Sequence, residues 1–259
     1  MYRILSPFIA IIFLASCGPI PLIQDPYVVD TDRQKENIYY IPSTPNTPMS
    51  SKKDHLDFNL NYSSGTRYSG MEFRGGYLPS KHIGIIAGYS VAAHNALLDY
   101  MDYNRFELGA GYITEISDEW HFETYAGAGS GKINNRHHTG YSNIKLNHYF
   151  LQPAFIYKNP NKTFELGIIS RFAGVNFSVR DTSFNTDREK YSSSQLTGLY
   201  DKPFHIMWEP ALIARAGWKN FKFSASYTMS SDLTESTMNR SNNNLSLGIA
   251  LQFNAGKKK

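Results

Sequence analysis

The sequence predicts an all-β fold, an antiparallel up-and-down transmembrane β-barrel of about ten strands, with eight or twelve as alternatives. Three observations predict it. Ten segments alternate between apolar and polar residues, and in a strand this puts a greasy and a wet face on opposite sides. Short links between the segments alternate with long polar ones. Aromatic residues gather near both ends of the segments, where a barrel meets the two membrane interfaces.

The chain starts with Arg3, the apolar run Phe8-Ile9-Ala10-Ile11-Ile12-Phe13, and then Leu14-Ala15-Ser16-Cys17. A positive region, a short apolar core and small residues describe a secretory signal peptide over 1–16. The run falls short of the roughly 20 apolar residues a spanning helix needs. Leu-Ala-Ser-Cys resembles the lipobox of bacterial lipoproteins, which implies cleavage before Cys17 and lipidation of its thiol. Cys17 is the only cysteine, so no internal disulfide can form.

Residues 17–53 read as a linker. Pro19, Pro21, Pro26, Pro42, Pro45 and Pro48 favour extended backbone at about 3.1 Å per residue. The stretches Tyr27-Val28-Val29 and Ile38-Tyr39-Tyr40-Ile41 are more apolar, and the periplasmic mouth of the barrel is the docking place they suggest.

The barrel domain is assigned to 54–259. Its first segment places Leu56, Phe58, Leu60 and Tyr62 against Asp57, Asn59 and Asn61. Next, Met71, Phe73 and Tyr77 alternate with Glu72 and Arg74. Ile83, Ile85, Ala87, Tyr89 and Val91 alternate with small residues. Phe106, Leu108, Ala110 and Tyr112 oppose Arg105 and Glu107. Trp120, Phe122, Thr124 and Ala126 oppose His121, Glu123 and Tyr125. Tyr149, Leu151, Phe155 and Tyr157 form a sixth row. Phe164, Leu166, Ile168 and Phe172 oppose Glu165 and Arg171. Ile206, Trp208, Leu212, Ala214 and Trp218 oppose His205, Glu209 and Arg215. Phe221, Phe223, Ala225 and Tyr227 oppose Lys222. Leu245, Leu247, Ile249, Leu251 and Phe253 close the series. Pro153 and Pro210 fall inside strands, where proline drops a ladder bond, and suggest paired bulges.

The links 78–82, 114–118, 158–162 and 219–220 are short. The stretches 92–104, 130–147, 176–203 and 230–243 read as long loops, and Ser63 to Ser69 joins that set by parity. Short turns face the periplasm in such barrels and long loops face outward. An even strand number then puts both barrel ends on the periplasmic side, which suits an anchor in the inner leaflet.

The polar face carries Asp57, Glu72, Arg74, Arg105, Glu107, Glu123, Glu165, Arg171, Glu209 and Arg215. Charges facing one another in a narrow interior would form a paired network, because buried charges are normally paired. The functional alternative is a narrow polar channel. His148, His205 and the pair His137-His138 come with no catalytic or metal-ligand spacing, so no enzyme activity, cofactor or metal is expected. Gly127-Ala128-Gly129-Ser130-Gly131-Lys132 departs from a phosphate loop at Ala126 and Ile133. The net charge of +4 holds no basic cluster larger than Lys257-Lys258-Lys259, which excludes a nucleic-acid footprint.

From Asp54 to Asn254 the chain resembles bacterial outer-membrane β-barrel proteins, and Phe253 sits near the end as their terminal aromatic does. The resemblance implies a Gram-negative outer membrane, bilayer lipid as surroundings and other envelope proteins as partners. The lipobox type resembles that of the Bacteroidota. Gly18-Pro19-Ile20-Pro21 lacks the acidic residues that often follow the cysteine of their surface lipoproteins, which again points to an inward-facing anchor. The expected function is a non-enzymatic scaffold or partner-binding barrel lipoprotein. The alternatives are a barrel enzyme acting on lipid or peptide, a narrow channel, and a soluble lipoprotein barrel with its faces inverted.

Overall fold

Alternation at period 2 carries almost the whole structure. The computed structural model describes residues 37–95, 99–137, 140–183, 196, 198–218, 220–234 and 238–255. The signal peptide, Cys17, the linker up to Glu36, His138 and the terminal lysines lie outside them, as does the side chain of His137. Glu36–Lys259 forms one compact unit.

The strands are β1 (His55–Gly65), β2 (Tyr68–Leu78), β3 (Ile83–Asn95), β4 (Asp99–Glu115), β5 (Trp120–His137), β6 (Gly140–Lys158), β7 (Phe164–Thr182), β8 (Phe204–Gly217), β9 (Phe221–Met229), the two-residue β10 (Ser231–Asp232) and β11 (Asn243–Asn254). Consecutive strands pair antiparallel from β1 to β9, and β11 pairs with both β9 and β1. The ten long strands therefore close into a barrel, while β10 adds only Ser231 and Asp232 to the edge of β8. Closure removes every sheet edge, which is what lipid demands of a β structure.

The apolar rows named from the sequence point outward. Leu212 is 48% exposed, Tyr149 69% and Trp218 68%, and Phe58, Phe73, Phe106, Leu151, Ile168, Phe223 and Leu247 are exposed with them. Such a continuous apolar skin is unstable in water and matched to hydrocarbon. The inverted soluble barrel is thereby excluded. At the short-turn end aromatic neighbours meet across strands, Trp120 with Tyr157 at 5.1 Å and Trp218 with Phe221 at 6.1 Å between ring centroids.

Several expected loops are strand. β4 begins at Asp99, β5 runs to His137, β6 starts at Gly140 and β7 runs to Thr182. The reason is a reversal of polarity along each strand. On β6 the outward residues are Tyr157, Phe155, Leu151 and Tyr149, then Asn147, Lys145 and Asn143; the inward ones change from Gln152 and His148 to Leu146 and Ile144. β4, β5 and β7 do the same, with Met101, Tyr103, Ile133, Val175 and Phe177 inside. Lipid bathes the lower part of each strand and water the upper part, so the greasy face switches sides. These four strands rise above the apolar belt as a rim.

The β1–β2 connection is a tight turn, not a loop. Gly65 pairs with Tyr68, leaving only Thr66 and Arg67, and Arg67 takes φ 68° in the left-handed region. Nor do the prolines make bulges. Pro210 pairs in register with Ser170, and the β6–β7 register is unchanged on either side of Pro153. Both prolines flank Ser170 of β7 and simply omit ladder bonds; the one register shift between β6 and β7 lies at Asn143/Ile144.

The linker reading changes most. Residues 37–50 are all buried, and they lie inside the barrel. At the long-loop end Tyr39 N donates to Asn239 O (2.9 Å), Ser241 N to Tyr40 O (2.9 Å), and Asn135 Nδ2 to Ile38 O (3.2 Å). Midway, Asn46 Nδ2 donates to Gly75 O and Ala87 O, and Gln152 Nε2 to Asn46 O. At the short-turn end Met49 packs on Ala154, Ile156, Ile169, Ala211 and Ile213. Ser51 Oγ there donates to Glu115 Oε1 (2.6 Å). The strap thus runs the length of the lumen and enters β1 after turns at Met49 and Asp54, both with positive φ. Pro42, Pro45 and Pro48 recur every third residue, the repeat of a polyproline helix, whose rise of about 3.1 Å carries 37–50 over about 40 Å. Ile38–Ile41 docks at the long-loop end of the barrel, not at the short-turn end.

Candidate functional site: a plugged lumen

All ten charged residues assigned to the polar face point inward and are buried. They fall into two girdles around the strap. In the girdle nearer the rim, Glu107 is the node. Arg171 forks onto it, Nη2 to Oε1 at 2.6 Å and Nη1 to Oε2 at 3.2 Å; Arg105 Nε and His148 Nε2 approach Oε1 at 3.2 and 3.0 Å. Arg171 also reaches Glu209 Oε2 at 3.4 Å and lies 4.3 Å over the ring of Phe150. Glu72 and Arg74 pair at 3.1 Å. The second girdle joins Arg215 to Asp57 at 3.1 Å, Lys222 to Glu165, and Lys158 to Glu165 at 3.7 Å. Gln252 Nε2 donates to both Asp57 and Glu165. Glu123 accepts from Thr47 Oγ1, from Ser50 N at 3.1 Å, and faces His121 Nε2 at 3.0 Å.

Counted together, Asp57, Glu72, Glu107, Glu123, Glu165 and Glu209 face Arg74, Arg105, Arg171, Arg215, Lys158 and Lys222, six acids against six bases. A balanced lumen calls for an uncharged filling, and Asn37–Ser50 contains no Asp, Glu, Lys or Arg. The strap supplies hydroxyls, amides and carbonyls instead. Tyr40 OH donates to Glu209 Oε1 (2.8 Å), and its ring lies under Arg105 at 5.7 Å. Arg171 Nη1 donates to Ser43 Oγ (3.1 Å), Thr44 N to Glu72 Oε1 (3.2 Å), and Arg215 Nη2 to Thr47 O (3.0 Å). Charge-assisted bonds of this kind are about twice as strong as neutral ones. They tie the strap to both girdles.

Glycine makes room for it. A Cβ on Gly76 would meet Pro48 Cγ at 2.5 Å, and one on Gly129 would meet the His148 ring at 2.4 Å. The run that superficially matched a phosphate loop is a stretch of β5, and its inward glycines accommodate Phe150 and His148.

Above the girdles the lumen closes on apolar side chains. Ile38, Tyr39, Tyr40 and Ile41 form one cluster with Met101, Tyr103, Ile133, Ile144, Leu146, Val175, Phe177 and Met207. Leu196, Leu199 and Met238 from the connections above complete it. His205 Nδ1 faces Asp232 Oδ2 at 3.0 Å, and its ring meets Phe177 edge-on at 5.3 Å. It is a buried cross-strand pair. Among the described residues no three His, Cys, Asp or Glu side chains gather as a metal site would.

Sequence reasoning missed the strap residues and Lys158, and although it weighed His148 and put Gln252 on the polar face, it joined neither to the charge network. The three-residue proline period, joined to the absence of charge over 37–50, was the signal available.

No protein-family model and no curated protein matches the chain. Solved structures do. The N-terminal β-barrel domain of Pseudomonas aeruginosa OprF aligns at 10% identity over 78% of this chain and 98% of its own, with TM-score 0.38. The translocator domain of the Neisseria meningitidis autotransporter NalP aligns at 9% identity over 76% and 87%, with TM-score 0.43. The Escherichia coli outer membrane protease OmpT aligns at 11% identity over 82% and 99%, with TM-score 0.38. The architecture of this chain, a closed ten-stranded antiparallel barrel with an apolar exterior and a polar interior, is that of outer-membrane β-barrels.

Proposed function

We propose that the protein is a non-enzymatic outer-membrane β-barrel lipoprotein, a closed scaffold that offers its raised rim and long connections to other envelope proteins at the cell surface. The observation that carries the proposal is the strap, since a lumen filled by the chain's own residues and locked by two charge-balanced girdles leaves no aqueous path. Short turns then face the periplasm and the rim of β4–β7 faces outward, as in barrels of this architecture. The buried His121, His148 and His205 each pair with a carboxylate, an arrangement suited to structure and not to attack on a substrate. Cys17 is the residue that carries the lipid.

Single-channel recording tests the closed scaffold. The wild-type barrel in planar bilayers is expected to show no steady conductance of porin size, and a variant lacking residues 37–50 to conduct. Large stable wild-type channels would refute it. For the lipid, Cys17→Ser is expected to abolish incorporation of labelled fatty acid that the wild type incorporates.

A further inference from the structure

The strap has a direction, and direction decides sidedness. Reading from Ser51 toward Asn37, the chain leaves the short-turn end beside Glu115 and passes Glu123, Arg215, Glu72 and Glu107. It finishes among Asn135, Asn239 and Arg240 at the rim. Although β1 starts beside the C-terminal end of β11, with Ala255 N donating to Asp54 O, the chain preceding β1 is carried back through the barrel to the opposite face.

We propose that the barrel threads its own N-terminus to the cell surface, so that the chain before Asn37 lies outside the cell and Cys17 anchors in the outer leaflet. This rests on the orientation given above for the rim. It reverses the inner-leaflet anchor that the even strand number and Gly18-Pro19-Ile20-Pro21 suggest. Covalent continuity carries the sidedness: Tyr40 bridges Arg240 at the rim, and Glu107, Glu72 and Glu123 are occupied by Ser43, Thr44 and Ser50, in sequence order along the lumen. A reversed path would exchange these partners. The reach is sufficient. The nineteen residues between Cys17 and Asn37 give twenty steps, a reach of up to about 60 Å at about 3.1 Å per step. The β6 rim from Asn147 to Gly140 stands about 24 Å along the strand at about 3.4 Å per residue, so the anchor can return to the membrane outside the barrel. The arrangement also explains why an integral barrel carries a lipid: the acyl chains hold the outer end of a strap that would otherwise be free to slip inward.

Short epitope tags test this on the full-length protein in intact cells, with heat-modifiable gel mobility confirming that each variant folds. One tag follows Asp30, a second follows His138 at the tip of the β5–β6 hairpin, and a third follows Asn161 in the β6–β7 turn. The expected result is antibody binding to the first two on intact cells, and to the third only after permeabilisation. If the tag after Asp30 needs permeabilisation while that after His138 does not, the threading is wrong although the orientation stands. If the tag after Asn161 is the one exposed on intact cells, the orientation itself fails and the surface anchor falls with it.

Discussion

Glu107→Gln is the most informative single change in the lumen. The substitution keeps volume and an acceptor but removes the charge that faces Arg171 at 2.6 Å, Arg105 at 3.2 Å and His148 at 3.0 Å. Removing one partner of a buried ion pair typically costs about 3–5 kcal/mol, because the other charge is left uncompensated. Glu209, 3.4 Å from Arg171 Nε, still shares the load, so the lower end applies, about 3 kcal/mol. At about 1.4 kcal/mol per tenfold, that is roughly a hundredfold in the folding equilibrium. The double variant Glu107→Gln, Arg171→Gln restores balance between Arg105 and Glu209, so it is expected to lose less than the sum of the singles by about 1–3 kcal/mol. Urea titrations of folding into lipid vesicles read this directly. Trp120, Trp208 and Trp218 all sit on the outer face, and their emission reports insertion. A Glu107→Gln variant within about 0.5 kcal/mol of wild type, or a strictly additive cycle, would show that the girdle is not electrostatically coupled.

Two further outcomes are expected. Leu212→Arg, on the lipid face of β8, should cost roughly 2–4 kcal/mol in the same folding assay while Leu212→Ala stays mild; equal stability of all three would mean that this face does not meet hydrocarbon. Cysteines replacing Tyr40 and Arg240, bridge partners at the rim, should oxidise spontaneously to a disulfide that survives folding and shifts gel mobility on reduction, and failure of this pair to form would place the strap elsewhere in the lumen.

The strands of the belt were legible because their signal is local. Side chains of a strand alternate with a period of two whatever the strand pairs with, so Leu56 to Tyr62 and Leu245 to Phe253 announce their faces unaided. The same locality made the inward charges readable, since a charge between two lipid-facing residues has nowhere else to go. The rim was not legible for a related reason. From Tyr149 to Asn147, and from Phe106 to Asn104, the solvent around the barrel changes from lipid to water. The apolar row then moves to the other face, so a continuous strand reads as the end of one pattern and a polar loop.

The strap was decided only by tertiary structure. Its prolines and its lack of charge are equally consistent with a tether in water, because a polyproline-like chain makes no hydrogen bonds within itself. What orders it are partners distant along the chain, Glu209 for Tyr40, Asn244 for Pro42 and Arg215 for Thr47. Those partners share one lumen only after ten strands have closed. Within the belt, the sequence alone determined which side chains face inward and which face lipid. The closed barrel determined what the inward ones hold, and from which end the chain enters.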